Sequence, residues 1–322
     1  MPKLRRAAAI LAIKTPHTIN TYTSNTTTNT LFGVGSITKT FISAAILKLE
    51  AENKLNINDP IGKYFPEYPR WQHITIKQLL NMTSGIFNYM NDPAYKKDLN
   101  DNYQKSWNTN KLINVAYQHD DDFKPGTNWN YTNTSYLMLG KIIEQVTKKS
   151  LEGVLKAYFF TPFKLKHTYY FADTYPKNIF NKIAKGFYNG EVIKPSFPHN
   201  IGAASGGMLM TAADLMMWTN HLFVKKDVVP NKQLNEMLTT VSIPIGKIKP
   251  QDSAYGLGVT VSNVNKQKII WYTGVTPYHT AIYLWQTSAS KIIVAMASFN
   301  RKGDKNYDLL FPEKPLIKPL LF

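Results

Sequence analysis

Strand-like segments lie at both ends of this 322-residue chain, and helical patterns fill the part between them. Near the start, residues 7–14 are apolar and residues 18–24 are rich in β-branched side chains. The last third carries four more β-branched or aromatic runs, at 255–264, 268–272, 280–285 and 291–298. This order predicts an α/β (α+β) fold, with an antiparallel β-sheet built from both chain ends and flanked by helices.

The segments between these strands predict an inserted, all-helical domain. Four helices are expected, over 41–50, 76–84, 137–146 and 211–223. The first is apolar on most faces, as in a buried helix, and the second opens with a capping box from Thr75 to Gln78, with Gly85 at its end. We therefore assign residues 1–60 and 250–322 to a sheet domain and residues 61–249 to a mainly helical domain.

The first residues permit two interpretations. Residues 1–6 carry three positive charges and residues 7–13 are apolar, which is the outline of a short signal peptide. No cleavage site of the A-x-A kind follows, only Lys14, Thr15 and Pro16. We favour a hairpin, in which 7–14 is a buried strand and 18–24 is the second strand after a tight turn.

Charge narrows the classes of function. Lys and Arg number 38 against 21 Asp and Glu, which gives a formal net charge of +17. This excess favours anionic surroundings, such as nucleic acid, anionic lipid or a cell-wall polymer. The basic residues are dispersed and form no arm or recognition-helix pattern, so we predict no nucleic-acid partner.

The residue types also exclude several kinds of site. There is no Cys, so neither a disulfide framework nor a thiolate metal site can form. The seven His residues show no H-x-H or H-E-x-x-H spacing, and we predict no metal and no cofactor. No stretch approaches 18 apolar residues, so no transmembrane helix is expected.

Ser36 and Lys39 lie at the start of the first predicted helix, after a segment containing Gly33 and Gly35. Three residues apart, they share one face of a helix. A lysine whose pKa is lowered by burial can take the proton of a serine and make it a nucleophile. The alternative is that Ser36 is an N-cap and Lys39 is solvated.

The spacing alone is weak evidence, because Ser288 and Lys291 repeat it. That second pair lies at the start of a predicted strand, where an odd offset sends the two side chains to opposite faces. It therefore serves as an internal control for the first pair.

Two further patterns could complete a site. Tyr131 and Asn133 lie in the loop before the helix at 137–146, where a phenol can relay protons and an amide can hold a carbonyl. The alternative for them is a packed Tyr and an Asn N-cap, and Tyr89 and Asn91 repeat the pattern. Tyr272, Thr273 and Gly274 close a predicted strand, and the N–H of Val275 could be an oxyanion donor.

In this order and context, Ser-x-x-Lys, Tyr-x-Asn and the Thr-Gly strand resemble the serine β-lactamase and penicillin-binding-protein superfamily. The Tyr-x-Asn form resembles the branch of class C β-lactamases and D-Ala-D-Ala carboxypeptidases. The segments 30–41, 55–66, 74–85, 125–140 and 206–218 also resemble that family. The resemblance implies an active site at the junction of the two domains, no cofactor, a small-molecule or peptidoglycan-type peptide substrate, and a location in the periplasm or cell envelope.

The resemblance also implies roles for the residues. Ser36 would form an acyl-enzyme, with Lys39 and Tyr131 sharing the role of base. Asn133 would bind the acyl-side amide of the substrate. The N–H groups of Ser36 and Val275 would form the oxyanion hole. Substrate contacts would come from Tyr272, Thr273 and Gly274, with Thr273 touching the substrate's carboxylate or leaving group.

Departures from the family pattern leave several hypotheses open. The family usually has Lys or His where this chain has Tyr272, and a neutral phenol supplies no charge for a carboxylate. The prolines at 312, 315 and 319 forbid the usual C-terminal helix, so one sheet face is expected to be less covered. The main hypothesis is a serine hydrolase of the D-Ala-D-Ala carboxypeptidase or β-lactamase kind. The alternatives are an esterase of the same fold and a weakly catalytic protein that binds an anionic cell-wall polymer.

Overall fold

The computed structural model describes residues 7–101, 107–170, 176–188, 191–193, 203–244, 252–299 and 320. Its strands are β1 (Ala9–Lys14), β2 (Ile19–Ser24), β3 (Phe32–Gly33), β4 (Thr168–Tyr170), β5 (Gly186–Tyr188), β6 (Glu191–Ile193), β7 (Met208–Met210), β8 (Val241–Ser242), β9 (Ser253–Tyr255), β10 (Thr260–Val264), β11 (Gln267–Val275), β12 (His279–Gln286) and β13 (Lys291–Ser298). Its helices are α1 (Thr38–Ala51), α2 (Ile76–Leu80), α3 (Pro93–Asp101), α4 (Thr109–Tyr117), α5 (Asn133–Thr147), α6 (Leu151–Leu155), α7 (Lys177–Phe180), α8 (Ala203–Gly206), α9 (Ala212–Thr219) and α10 (Asn231–Leu238).

The main sheet joins the two ends of the chain. Its order is β2-β1-β13-β12-β11-β10-β9-β8, and the described neighbours are antiparallel. β1 pairs with β13, with Ala9 opposite Ala297, and with β2 through the predicted hairpin. The predicted α/β fold with a sheet built from both ends is therefore confirmed. A small sheet of β3, β7 and β4 lies beside the segment that carries Ser36.

Helix α1 is the centre of the larger core. Eleven of its residues are buried, because its sequence is apolar on most faces. Phe41 stacks on Trp218 of the α9 helix, with ring centroids 3.7 Å apart. The same core includes Ile10, Tyr272 and Val294 on one face of the sheet. This burial fixes the start of α1, which carries Lys39 and is directly preceded by the turn with Ser36.

The opposite sheet face is better covered than the sequence predicts. Ile269, Trp271 and Ile282 on that face are only 0–2% exposed. Leu320 packs against this cluster, and its carbonyl oxygen accepts a hydrogen bond from Lys291 Nζ at 3.0 Å. The expectation of a less covered face is therefore wrong at β11 and β12, whereas Tyr22 of β2, which pairs with Leu11, is 60% exposed. The prolines at 312, 315 and 319, on which it rested, lie outside the described residues.

Three predicted elements differ in detail. The capping box of Thr75 and Gln78 is present, but α2 ends at Leu80, since Met82 takes the left-handed conformation at φ 66°. The run 255–264 is two strands rather than one, because Gly258 turns the chain at φ +75°. The helix predicted at 211–223 is present as α9 and continues as a wider π-type turn from Asn220 to Lys225. The division of the chain at residues 60 and 250 stays a prediction.

Candidate active site

Ser36 lies in a short 3-10 turn, Gly35–Ile37, that leads directly into α1. Gly35 has φ +48°, a conformation that glycine adopts without strain. Val34 N donates to Met208 O at 3.0 Å, which ties the turn to the small sheet. The side chain of Ser36 caps neither this turn nor α1, so the alternative of an N-cap is wrong. Its hydroxyl is half-buried and available for other contacts.

Lys39 is enclosed beside that hydroxyl. Its side chain is 0% exposed, and Nζ lies 3.1 Å from Ser36 Oγ, 2.8 Å from Asn133 Oδ1 and 2.6 Å from Ser205 O. Amide and carbonyl oxygens only accept hydrogen bonds. In its neutral form the amine would give its two N–H groups to Asn133 and Ser205, which leaves its lone pair for the Ser36 hydroxyl.

Burial favours the neutral form of the Lys39 amine. Removal from water lowers the pKa of Lys39 well below its usual value, because the charged form loses hydration. The alternative of a solvated Lys39 is therefore wrong. A free amine facing a serine hydroxyl is the arrangement that general-base activation of a nucleophile needs.

Tyr131 completes the contacts of Ser36. Its hydroxyl lies 2.7 Å from Ser36 Oγ, and Lys39 Nζ lies 4.9 Å from the centroid of its ring. Burial raises the pKa of Tyr131 to about 12, so the phenol is protonated at neutral pH. A protonated phenol can donate to an alkoxide or a leaving group. This favours Lys39, rather than Tyr131, as the base.

Asn133 begins α5 and is held from both sides. The N-cap residue of α5 is Thr132, so the alternative of Asn133 as N-cap is wrong. Its Nδ2 lies 3.4 Å from Asn88 Oδ1 and 3.2 Å from Met90 Sδ, which turns its Oδ1 toward Lys39. The amide oxygen is thus already used by the lysine.

The end of β11 lies against the turn of Ser36. A Cβ on Gly274 would lie 1.7 Å from Val34 O, and a Cβ on Gly35 would lie 2.6 Å from Val275 N. Only glycine permits both approaches. They bring the backbone of Ser36 near that of Val275, as an oxyanion hole requires. Strand β10 pairs with β11 only as far as Trp271. Within the described part of the chain, residues 272–275 of β11 therefore have no neighbouring strand on the β10 side.

Gly274→Ala is expected to lower kcat about 100-fold or more, because the new methyl group would displace the backbone before Ser36 by about an ångström. Turnover of a chromogenic ester would measure this. The matched control is Gly153→Ala, where the nearest atom, Ser150 Oγ, is 3.2 Å from the new Cβ. Equal activity of the two variants would contradict the prediction.

Tyr272 and Thr273 point in opposite directions. Tyr272 is 4% exposed, lies in the larger core and hydrogen-bonds through its hydroxyl to that of Tyr255. Strand alternation places Thr273 on the other face, opposite Ile282 of β12. The structure thus brings Tyr272 toward Tyr131 but does not bring the Thr273 side chain to Ser36. The predicted substrate contact of Thr273 stays a prediction that its backbone, on the open edge, could satisfy.

His279 is a buried residue that the sequence reasoning missed. Gly33 N donates to its Nδ1 at 3.1 Å, and its Nε2 donates to Ala184 O at 2.9 Å. The ring thereby fastens the strand before Ser36 to β12. Burial lowers the pKa of His279 to about 4, so the ring stays neutral and Nδ1 stays an acceptor. A lone His gives no sequence signal for such a contact.

Acid should lower the free energy of unfolding that depends on neutral His279. The folded pKa of about 4 lies below the usual value of 6.5, so the unfolded chain takes up the proton first. The stability from neutral His279 is complete above pH 6.5 and is lost between pH 6.5 and 4, by about 3 kcal/mol in total. Urea unfolding at several pH values would measure it. His279→Gln should remove this part of the pH dependence, whereas His17→Gln, at an exposed turn, should keep it.

Within the described ranges, no group of three or more His, Asp or Glu side chains could hold a metal ion. None of the described helices is both long and apolar enough to span a bilayer.

The family follows from a comparison with known proteins. The family profile described as Beta-lactamase matches residues 5–311. This chain belongs to the Beta-lactamase family. Together with the fold, this membership places the chain in the superfamily of serine β-lactamases and penicillin-binding-protein homologues.

Individual relatives of this Beta-lactamase family chain include "Protein flp" of Staphylococcus aureus (strain MW2), 28% identical over 282 residues that cover 84% of this chain and 53% of the relative. "Teichoic acid D-alanine hydrolase" of Staphylococcus aureus is 31% identical over 193 residues, 59% of this chain and 45% of that one. The chain thus spans about half the length of these curated relatives. Among solved structures, a D-stereospecific amidohydrolase from Streptomyces sp. superposes with a TM-score of 0.84 and 26% identity, covering 94% of this chain and 93% of that one.

Proposed function

We propose that the chain hydrolyses amides or esters of D-amino acids through an acyl-enzyme on Ser36. The observation that carries this proposal is the buried amine of Lys39. Its Nζ lies 2.8 Å from Asn133 Oδ1, 2.6 Å from Ser205 O and 3.1 Å from Ser36 Oγ, so the neutral amine, with its two N–H groups on the first two oxygens, would have its lone pair for the Ser36 hydroxyl. Such an amine is a base aimed at one hydroxyl.

The proposed reaction has two steps. Lys39 takes the proton of Ser36, whose oxygen attacks the substrate carbonyl, while the N–H groups of Ser36 and Val275 hold the oxyanion. The C–N or C–O bond then breaks, and the proton taken by Lys39 is delivered by way of Tyr131 to the leaving group. Water attacks the resulting ester of Ser36 with the same groups, which releases the acid and restores the serine.

The D-amino-acid substrate class is supported by two relatives. One is named for hydrolysis of D-alanine on teichoic acid and the other for D-stereospecific amide hydrolysis. Carboxypeptidase or β-lactamase activity remains an alternative within the same acyl-enzyme chemistry.

A substrate panel tests the proposal. The D- and L-enantiomers of alanine p-nitroanilide, a D-Ala-D-Ala peptide and a short p-nitrophenyl ester would be compared, and intact mass would be recorded after incubation with a fluorophosphonate. We expect one covalent adduct on Ser36 and faster turnover of the D-anilide than of the L-anilide. A folded sample with no adduct and no turnover would reject the proposal.

A second candidate is the removal of D-amino acid esters from an anionic polymer. The net charge of +17 favours such a carrier. Hydrolysis of a polymer-bound ester would then weaken with added salt, because salt screens the attraction between the chain and the polymer. Hydrolysis of the small ester would not change with salt, which makes it the matched control.

A further inference from the structure

The hydroxyl groups beside Ser36 form a connected set of phenols. The Tyr131 hydroxyl forms a hydrogen bond with Ser36 Oγ, and it also interacts with the hydroxyl of Tyr272. The hydroxyl of Tyr272 in turn bonds that of Tyr255 on β9. Tyr272 therefore lies on the side of Ser36 where Tyr131 would protonate a leaving group.

Among the described residues, the phenols on this side of the site are uncharged at neutral pH. Burial raises the pKa values of Tyr272 and Tyr255 well above the usual value for tyrosine, and neighbouring phenols such as Tyr131 raise both further. The nearby amine, Lys39, gives its N–H groups to Asn133 and Ser205 and is fully enclosed. Neither the phenols nor the amine thus offers a positive charge to an entering substrate.

The lack of a positive charge on these described side chains affects which leaving groups can bind. A carboxylate that leaves water for this surface would lose its hydration and gain only neutral hydrogen bonds, which are about half as strong as those to a cation. Moving an amide or an ester group from water to this surface costs much less free energy, and a phenol can donate a hydrogen bond to its oxygen. A difference of this kind is a basis for specificity.

We propose that Tyr272, supported by Tyr255, makes the site select substrates whose leaving group carries no negative charge. This inference rests on the proposed function and narrows it. Amides and esters of D-amino acids would be substrates, whereas peptides that release a residue with a free carboxylate, such as D-Ala-D-Ala, would be poor ones. Tyr272 is thus a specificity-determining residue.

Two anilides of D-alanine test this directly. They differ only at the meta position of the aniline ring, which carries a carboxylate in one and a carboxamide in the other. The scissile bond is the same, and chromatography measures the released amine. We expect kcat/KM to be at least tenfold higher for the carboxamide. Equal values within threefold, or a preference for the carboxylate, would overturn the inference while the proposed function stands.

Variants at Tyr272 then test whether this residue causes the preference for the carboxamide. Tyr272→Lys should raise the carboxylate-to-carboxamide ratio of kcat/KM at least tenfold, mainly through KM, whereas Tyr272→Phe should keep the wild-type ratio since it adds no charge. An unchanged ratio in a folded Tyr272→Lys protein would overturn the role of Tyr272. If that variant does not fold, the wild-type ratio decides. If the folded wild type cleaves neither anilide and Ser36 takes up no fluorophosphonate, the proposed function falls and this inference with it.

Discussion

Ser36→Ala should abolish covalent labelling and lower kcat by at least about 1000-fold, because removal of a catalytic nucleophile typically costs that much or more. The fold should persist, since Ser36 is half-buried and its side chain caps no helix. Fluorophosphonate labelling followed by intact mass, together with turnover of a D-alanyl anilide, would measure the effect.

Its matched control is Ser288→Ala. Ser288 belongs to the second Ser-x-x-Lys of the chain, and its hydroxyl lies on the surface beside Gln267 Oε1 at 3.3 Å. Labelling and turnover of this variant should equal those of the wild type. If Ser36→Ala kept its adduct, or if Ser288→Ala lost it, the assignment of the nucleophile would be wrong.

Lys39→Met is expected to have nearly as large an effect, about 1000-fold or more on kcat/KM, because Ser36 would lose its base. The thioether fills the volume of the lysine stem, so the loss reports on the amine. Wild-type kcat/KM should also fall as pH decreases through the lowered pKa of Lys39, since only the free amine accepts the serine proton. Pre-steady-state acylation across pH would measure both effects.

Lys291→Met supplies the comparison. That side chain is partly exposed at the start of β13 and donates to Leu320 O. Its removal should leave both the rate and the pH profile unchanged. Acylation by Lys39→Met within tenfold of the wild type would mean that another group takes the proton.

Much of the fold was accessible from the sequence because local patterns specify it. The β-branched runs at both ends pair in one sheet, and the apolar run at 41–50 is the buried helix α1. The offset of three residues between Ser36 and Lys39 predicts a shared helix face, and their atoms lie 3.1 Å apart. Boundaries were less accessible, since a left-handed Met82 ended α2 where its sequence pattern would have continued.

The remaining parts of the site depend on contacts between distant residues. The Ser205 carbonyl that orients Lys39 belongs to the backbone, so no residue type reveals it. The hydrogen bond between the hydroxyls of Tyr255 and Tyr272 forms between two strands of one sheet. The contact of His279 with Gly33 joins residues that are 246 positions apart. Such contacts follow from how the sheet assembles, which single-sequence patterns do not encode.

The pairing of β1 with β13 has a consequence for biosynthesis. Because β1 leaves the ribosome long before β13, at about 5–20 residues per second the hairpin of β1 and β2 has no β13 to pair with for roughly 15 to 60 s. During that interval one edge of β1, with Ile10 and Ala12 beside it, is open to other nascent chains. Pairing with β13 is therefore the step that closes this edge of β1 against aggregation.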